Sequence, residues 1–133
     1  AMAKIMGYSG MITTIAVVLV AATGSFYPII SPMIGGLGTF VTGSDVSANV
    51  LFGGLQVEVA KSISIDPYWL AAANTSGATG GKMISPQSIA IATAATGLSG
   101  AEGKILGTTV KFCIGYVIII GLITYFASSL MIF

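Results

Sequence analysis

Two apolar stretches dominate the pattern of this chain. No charged side chain occurs between Lys4 and Asp45, and none occurs between Phe112 and Phe133. Each stretch exceeds the roughly 20 apolar residues, at about 1.5 Å per residue, that cross a hydrocarbon core about 30 Å thick. Gly24-Ser25, Pro28 and then Ser31-Pro32 should end the first helix, because proline lacks a donor and disfavours helix before itself. The pattern predicts two transmembrane helices, over residues 5–27 and 105–133.

Polar residues interrupt the apolar segment 32–61 at its centre. Thr42-Gly43-Ser44-Asp45 is typical of a turn followed by a helix start, because Ser44 can cap the next helix and Asp45 suits its first turn. The flanks, 33–41 and 46–59, are each too short to span a bilayer. We therefore expect a re-entrant helical hairpin whose polar tip is covered by protein or faces a water-filled cavity.

The distribution of lysines favours this hairpin over a single crossing. If the segment returns to the face it entered, Lys4, Lys104 and Lys111 share one side and Lys61 lies opposite. A single crossing would divide these four lysines evenly and leave no positive-inside bias. The hairpin then opens to the outside, with Phe133 also outside.

The segment 67–98 predicts a second interrupted element. Asp66-Pro67 begins a helix, since proline is well tolerated at the first helical position. The stretch Thr75–Lys82 is polar and rich in glycine, unlike a lipid-facing helix, and helix resumes near Ser85-Pro86. The sequence thus predicts an all-α membrane protein whose discontinuous helix has an unwound centre at Thr75–Lys82.

Composition agrees with lipid as the main solvent. The chain is 55% hydrophobic and 7% charged, with a mean hydropathy of +0.99, whereas soluble domains carry about 25% charged residues. The net charge of +1 does not suggest nucleic-acid binding. A single cysteine, Cys113, allows no internal disulfide, and we interpret it as a small buried hydrophobe. The chain has no histidine and no paired carboxylates, so we expect no metal, no cofactor and no catalytic residue.

The candidate chemistry lies at the two interruptions. Helix starts at 44–46 and 85–87 offer free N–H groups and positive dipole ends to an anion. Lys82 near the membrane centre costs about 2.5–3.5 kcal/mol, so it needs a partner. That partner is a substrate carboxylate, or Lys82 forms a salt bridge with Asp45 or extends toward an interface.

Asp45 is the candidate for a coupled proton, and helix capping is its alternative role. Glu58 is expected to be a solvated residue near the exit of the hairpin. The amides and hydroxyls at the interruptions either bind a substrate or satisfy broken backbone. The predicted substrate-binding residues are Thr42, Gly43, Ser44, Asn49, Asn74, Thr75, Ser76, Lys82, Ser85 and Gln87.

Two stretches of the chain resemble the lactate permease family. They are Gly38–Gly53, GTFVTGSDVSANVLFG, and Ala71–Ala92, AAANTSGATGGKMISPQSIAIA. A weaker similarity extends from about Tyr27 to Leu98. The resemblance implies a multi-pass carrier of the bacterial inner membrane that moves L-lactate, D-lactate and glycolate with protons. It also implies that this chain is the C-terminal quarter of a longer permease and works with the missing N-terminal part.

The order of hairpin, span, broken helix and last span resembles the C-terminal half of the wider ion-transporter superfamily. Those carriers are commonly homodimers built from inverted repeats. This resemblance leaves open a sodium-coupled carboxylate carrier. A channel or pore subunit, or a module that serves only in assembly, would also be compatible with the sequence. Sodium-independent, saturable lactate exchange distinguishes the proton symporter from a sodium-coupled carrier and from a channel.

Overall fold

The computed structural model describes residues 9–130, and these residues form helices without strands. This confirms the all-α prediction. The predictions for Lys4, for residues 5–8 and for residues 131–133 lie outside the described residues. The helices are α1 (Met11–Thr23), a 3-10 turn (Gly24–Phe26), α2 (Tyr27–Thr42), α3 (Asp45–Ser62), α4 (Pro67–Lys82), α5 (Pro86–Thr96) and α6 (Glu102–Leu130).

Two helical segments in the described part of the chain are long and apolar enough to cross a membrane. They are Thr13–Thr42, with 30 residues, and Glu102–Leu130, with 29 residues. Many of their large apolar side chains are exposed, including Val18 and Phe112. Such surfaces suit contact with lipid or with further protein.

The predicted end of the first helix is confirmed at Gly24-Ser25, but the prediction that the prolines interrupt the helix is wrong. The α1 helix ends at Thr23, and α2 begins at Tyr27 and continues through both prolines. Pro28 lies in the first turn, where its missing donor does no harm. Pro32 is buried inside the helix and loses a backbone hydrogen bond. We attribute the continuity of α2 to its close packing against α4, which outweighs the local preference of proline.

The predicted unwinding of Thr75–Lys82 is also wrong, because α4 is continuous through Lys82 and the chain breaks at residues 83–85. A Cβ at Gly77 would overlap the Pro32 carbonyl, and one at Gly81 would overlap the Gly36 carbonyl. These glycines therefore allow two helix backbones to touch, as small residues do in membrane helix pairs.

The serine and threonine hydroxyls of α4 find acceptors within the helix as well. Thr75, Ser76 and Thr79 each donate to the carbonyl four residues earlier, at distances of 2.9–3.2 Å. A polar, glycine-rich sequence is thus compatible with a regular helix here. The face of α4 that carries Gly77 and Gly81 is covered by α2.

The α2 helix is central to the packing and contacts α3, α4 and α6. A Cβ at Gly35 would overlap the Asn74 carbonyl, so α2 and α4 also approach closely on this side. Near the start of α2, an apolar cluster joins four helices. Its buried members are Ala16, Tyr27, Leu55, Val59, Ala60 and Leu70.

The α2 and α3 helices pack against each other and are joined by Gly43-Ser44 alone. The predicted interruption at residues 42–45 is therefore confirmed as a helical hairpin. Its re-entry at one membrane face stays a prediction. The start of α4 also follows the sequence, because Pro67 is its first residue and Asp66 Oδ1 accepts from Tyr68 N at 2.8 Å.

Candidate functional site

The first helix break, at Gly43-Ser44, satisfies its own polar groups. Gly43 adopts a left-handed conformation with φ 73°, and its N–H donates to Thr39 O at 2.7 Å. Ser44 Oγ accepts from Ser47 N at 3.3 Å, which confirms the predicted cap. Thr42 Oγ1 accepts from Ser44 N at 3.3 Å and donates to nearby carbonyls. The side-chain oxygens of this turn are thus already engaged.

The second break, at residues 83–85, is less complete. Ser85 stands at the N-cap of α5 and Pro86 is the first helical residue, as predicted, but no side chain caps the helix. Ser85 is fully buried, and among the buried side-chain atoms of residues 9–130 its Oγ is the one without a hydrogen-bond partner. The first helical bond of α5 runs from Ile89 N to Ser85 O. The amides of Gln87 and Ser88 precede that bond and remain available to a ligand.

The two breaks lie side by side. Lys82 Nζ donates to Gly43 O at 3.3 Å. The Gln87 side chain packs on Gly43 so closely that a Cβ there would overlap Gln87 Oε1. The starts of α3 and α5 and one ammonium group therefore share one region. We call Thr42, Gly43, Ser44, Asp45, Lys82, Ser85 and Gln87 the break cluster.

Lys82 and Asp45 do not form a salt bridge, which the sequence left open as one role for this lysine. Asp45 is partly buried, and its Oδ1 accepts from Thr39 Oγ1 at 3.2 Å. Among residues 9–130 the one salt bridge joins Lys61 to Glu58, at 3.1 Å, and both of these side chains are well exposed. Lys82 thus contacts a neutral acceptor, and Asp45 contacts a neutral donor.

A second group of polar side chains lies between α3 and α4. Asn74 is fully buried, and its Nδ2 donates to Asn49 Oδ1 at 2.8 Å. Thr75 Oγ1 lies 3.0 Å from the same oxygen and 2.9 Å from Ala71 O, so its one proton has these two acceptors within reach. Three of the predicted site residues therefore contact one another directly.

This group continues into the protein through residues that the sequence pattern did not predict as part of a site. Gln56 Nε2 donates to Asn74 Oδ1 at 3.1 Å. Gln56 Oε1 accepts from Tyr27 OH at 3.1 Å and from Ser31 Oγ at 2.9 Å. We call Tyr27, Ser31, Asn49, Gln56, Asn74 and Thr75 the amide cluster. A sequence signal existed, since Gln56 follows Asn49 by seven residues, about two helical turns, and so shares its face.

The two clusters are neighbours along the seam between α3 and α4. Asn49 follows the N-cap Ser44 by five residues, about 7 Å along the axis at 1.5 Å per residue. Thr75 precedes Lys82 by seven residues, about 10 Å on the same measure. Two hydrogen bonds of about 2.8 Å, one from the carboxylate and one from the 2-hydroxyl of a small acid, can bridge the shorter of these separations.

Ser76 belongs to neither cluster. Its hydroxyl donates to Ala72 O at 3.0 Å, and the residue lines a cavity of about 130 Å³ between α4 and α6, together with Trp69 and Thr124. The predicted substrate-binding residues are thus divided between two adjacent clusters, with Ser76 apart. Within residues 9–130, no group of three or more histidine, cysteine, aspartate or glutamate side chains is arranged to hold a metal ion.

Comparison with known proteins supports the resemblance seen in the two motif stretches. The family model described as L-lactate permease matches residues 1–131. The chain is 52% identical to the glycolate permease GlcA of Escherichia coli (strain K12) over 124 residues, which are 93% of this chain and 22% of that protein. It is 48% identical to the L-lactate permease of Bacillus subtilis (strain 168) over 123 residues, 92% of this chain and 22% of that protein. Over 72 residues, 54% of this chain and 15% of the relative, it is 67% identical to the L-lactate permease of Streptococcus iniae.

The chain therefore spans about a fifth of the length of the curated relatives that it matches over most of its own length. No solved structure matches it significantly. The relatives named above are permeases and not enzymes, in agreement with the prediction of a carrier. With its two long apolar helices, the chain is a membrane protein that belongs to the L-lactate permease family.

Proposed function

We propose that this chain is part of the transport module of a proton symporter for L-lactate and related 2-hydroxy monocarboxylates, including D-lactate and glycolate. The carrier would be a multi-pass protein of the bacterial inner membrane. The observation that carries the proposal is the meeting of two helix starts at the contact between Lys82 Nζ and Gly43 O, at 3.3 Å. Family membership supplies the class of substrate.

The substrate carboxylate binds at the break cluster. Lys82 Nζ now donates to a neutral carbonyl, and a carboxylate is a stronger acceptor that can replace it. The free amides at the start of α5 and its positive dipole end favour the same anion. Ser85 Oγ, which is buried without a partner, is available as a further donor.

Asp45 carries the coupled proton. Among residues 9–130 it is the one acidic side chain of the break cluster, and its contact is with the Thr39 hydroxyl and not with a cation. It can therefore take up and release a proton without breaking an ion pair. Protonation would also remove a negative charge beside the incoming carboxylate, which couples the two binding events.

Amide side chains bind the 2-hydroxyl group of the substrate. Asn74 is fully buried and uses both ends of its amide within the amide cluster. Gln87 is exposed and belongs to the break cluster, and Asn49 is partly exposed and adjoins it. These two amides are the ones accessible to a ligand.

Replacing Asp45 with Asn tests the proton role in the full-length permease, reconstituted in proteoliposomes. Wild-type protein should acidify the lumen on lactate entry without sodium. The Asp45→Asn variant should retain lactate/lactate exchange but lose accumulation driven by a pH gradient, whereas Asp66→Asn, a matched change at the exposed cap of α4, should keep both. Unchanged accumulation in Asp45→Asn contradicts the proton role. A strict sodium requirement would instead indicate a sodium-coupled carrier, and steady unitary currents would indicate a channel.

Replacing Lys82 with Ala tests the carboxylate contact. Loss of one charge-assisted hydrogen bond should raise the half-saturation concentration for lactate at least tenfold. Lys61→Ala removes the same charge at an exposed position paired with Glu58, and it should leave this concentration within about twofold. Equal values for the two variants would exclude Lys82 from the site.

A further inference from the structure

We propose that Tyr27, which lies outside both helix breaks, is a positioning residue that makes Asn49 present a hydrogen-bond donor to the 2-position of the substrate. The proposal rests on the function proposed above and assigns the origin of its 2-position selectivity. It follows from the direction of the hydrogen bonds through the amide cluster.

Tyr27 has one place for its phenolic proton. The side chain is fully buried, and within residues 9–130 the acceptor for Tyr27 OH is Gln56 Oε1, at 3.1 Å. A buried hydroxyl whose proton finds no acceptor is costly. Tyr27 therefore requires the oxygen of the Gln56 amide, and not its nitrogen, to face it.

Ser31 imposes no such requirement. Its proton has two acceptors within reach, Gln56 Oε1 at 2.9 Å and Leu70 O at 3.1 Å. Ser31 can donate to the Gln56 oxygen, or it can donate to Leu70 O and accept from the Gln56 nitrogen, so it fits either orientation of that amide. The choice of orientation thus depends on the phenol.

The orientation of Gln56 determines the next two amides. Because its oxygen faces Tyr27, its nitrogen donates to Asn74 Oδ1, at 3.1 Å. Asn74 must then donate through Nδ2 to Asn49 Oδ1, at 2.8 Å. The Asn49 oxygen is occupied in this way, and it also accepts from Thr75 Oγ1.

The open end of this chain is Asn49 Nδ2. Within the described part of the molecule nothing accepts from this group, and Asn49 is partly exposed about one helical turn from the break cluster. A ligand there meets a donor. A 2-hydroxyl or a 2-oxo oxygen can accept from it, whereas an unsubstituted carbon cannot.

Without the phenol, the whole chain can reverse at little cost. Gln56 would donate to Ser31, which donates to Leu70 O, and would accept from Asn74. Asn49 would then donate inward, while Thr75 donates to Ala71 O at 2.9 Å. The Asn49 oxygen would face the ligand. A hydroxyl can donate to it, but a 2-oxo group cannot.

The test compares lactate with pyruvate, a 2-oxo acid of similar size that accepts but does not donate at the 2-position. Both acids are measured by half-saturation or competition in lactate exchange by the full-length permease. In wild-type protein pyruvate should compete with lactate. Tyr27→Phe should raise the ratio of pyruvate to lactate half-saturation about twofold, because the original and the reversed chain are then about equally populated and only the original one donates to pyruvate. The value for lactate, which can accept or donate, should stay the same. Tyr68→Phe, the same substitution at a side chain that is 85% exposed, should leave the ratio unchanged.

Three results overturn the proposal: pyruvate does not compete in wild-type protein, the ratio is unchanged in Tyr27→Phe, or both acids weaken equally. If the wild-type protein shows no lactate exchange at all, the proposed function itself is refuted. If Tyr27→Phe does not fold, Asn49→Asp makes the same test at the other end of the chain, because a carboxylate accepts but does not donate. It should raise the same ratio, and an unchanged ratio excludes contact between Asn49 and the 2-position.

Discussion

The two helix breaks of this protein differ in how their polar groups are satisfied. At Gly43-Ser44 a left-handed glycine ends one helix and a serine hydroxyl caps the next. At residues 83–85 the capping position is also a serine, but the Ser85 hydroxyl is buried without a partner and α5 has no side-chain cap. The side-chain oxygens of the first break all have hydrogen-bond partners within the turn, whereas the second break has donors without partners.

On the basis of this difference we propose different roles for the two breaks. A buried donor without a partner costs about 1–3 kcal/mol, and such groups tend to mark ligand sites. In this proposal the Gly43 break borders the site without donating to the substrate, and the Ser85 break supplies the donors that bind the anion. The contact from Lys82 Nζ to Gly43 O holds the two together.

The largest loss of stability should come from a substitution that forces α2 and α4 apart, because the packing of these helices brings the two breaks together. A Cβ at Gly77 would overlap the Pro32 carbonyl, so Gly77→Ala should lower the free energy of unfolding by about 3 kcal/mol. Thermal unfolding of the full-length permease in detergent measures this. Gly115→Ala is the matched control in α6, since a Cβ there meets nothing within 4 Å, and it should be neutral or slightly stabilising. Equal stability of the two variants would contradict the close α2–α4 contact.

The next effect concerns the contact between the breaks. Gly43→Ala should cost about 2 kcal/mol, because alanine is strained at positive φ and its Cβ overlaps Gln87 Oε1. Gly97 has a similar φ of 70° with nothing within 4 Å, so Gly97→Ala isolates the backbone strain. Gly43→Ala should also weaken lactate binding, and Gly97→Ala should not. Identical melting and binding in both variants would mean that the Gln87 contact does not matter.

A smaller effect is expected from the cap of the complete break. Ser44→Ala removes the acceptor for Ser47 N and should lower stability by about 1 kcal/mol. Lactate affinity should change less than twofold, because the hydroxyl is already engaged within the turn. A large loss of affinity without a loss of stability would assign Ser44 Oγ to the substrate.

The smallest change in stability should come from the incomplete break. Ser85→Ala removes an unsatisfied hydroxyl, so the melting temperature should stay the same or rise slightly. Lactate affinity should fall about fivefold if this hydroxyl donates to the carboxylate. Ser88→Ala, in the first turn of the same helix, is the control for a general effect on α5. An affinity equal to that of wild-type protein would remove Ser85 from the site.

Local sequence signals located the helix starts well. Ser44, Asp66 and Ser85 stand at the N-caps that their residue types predict, and Pro67 and Pro86 occupy the first helical positions. These signals are reliable because capping and proline geometry depend on a few adjacent residues. The resemblance to the lactate permease family was also readable from two short stretches.

Local signals failed where packing between distant helices decides the outcome. The first helix ends at Gly24 as predicted, but the prolines within 28–32, expected to interrupt the helix, and the glycines within 77–81, expected to unwind it, both lie in regular helices. The amide cluster was only partly predicted for the same reason. Its members Tyr27 and Ser31 belong to a helix whose contact with Gln56 spans 25 or more residues of sequence.

The order of residues alone determined that this protein is helical, that lipid is its main solvent and where most helices begin, because hydropathy, caps and prolines act over one or two turns. Tertiary structure decided that the two breaks meet, which of their hydroxyls remain free and which way the buried amides point. Those outcomes depend on carbonyls and side chains from helices far apart in the chain, and the glycines let these helices approach.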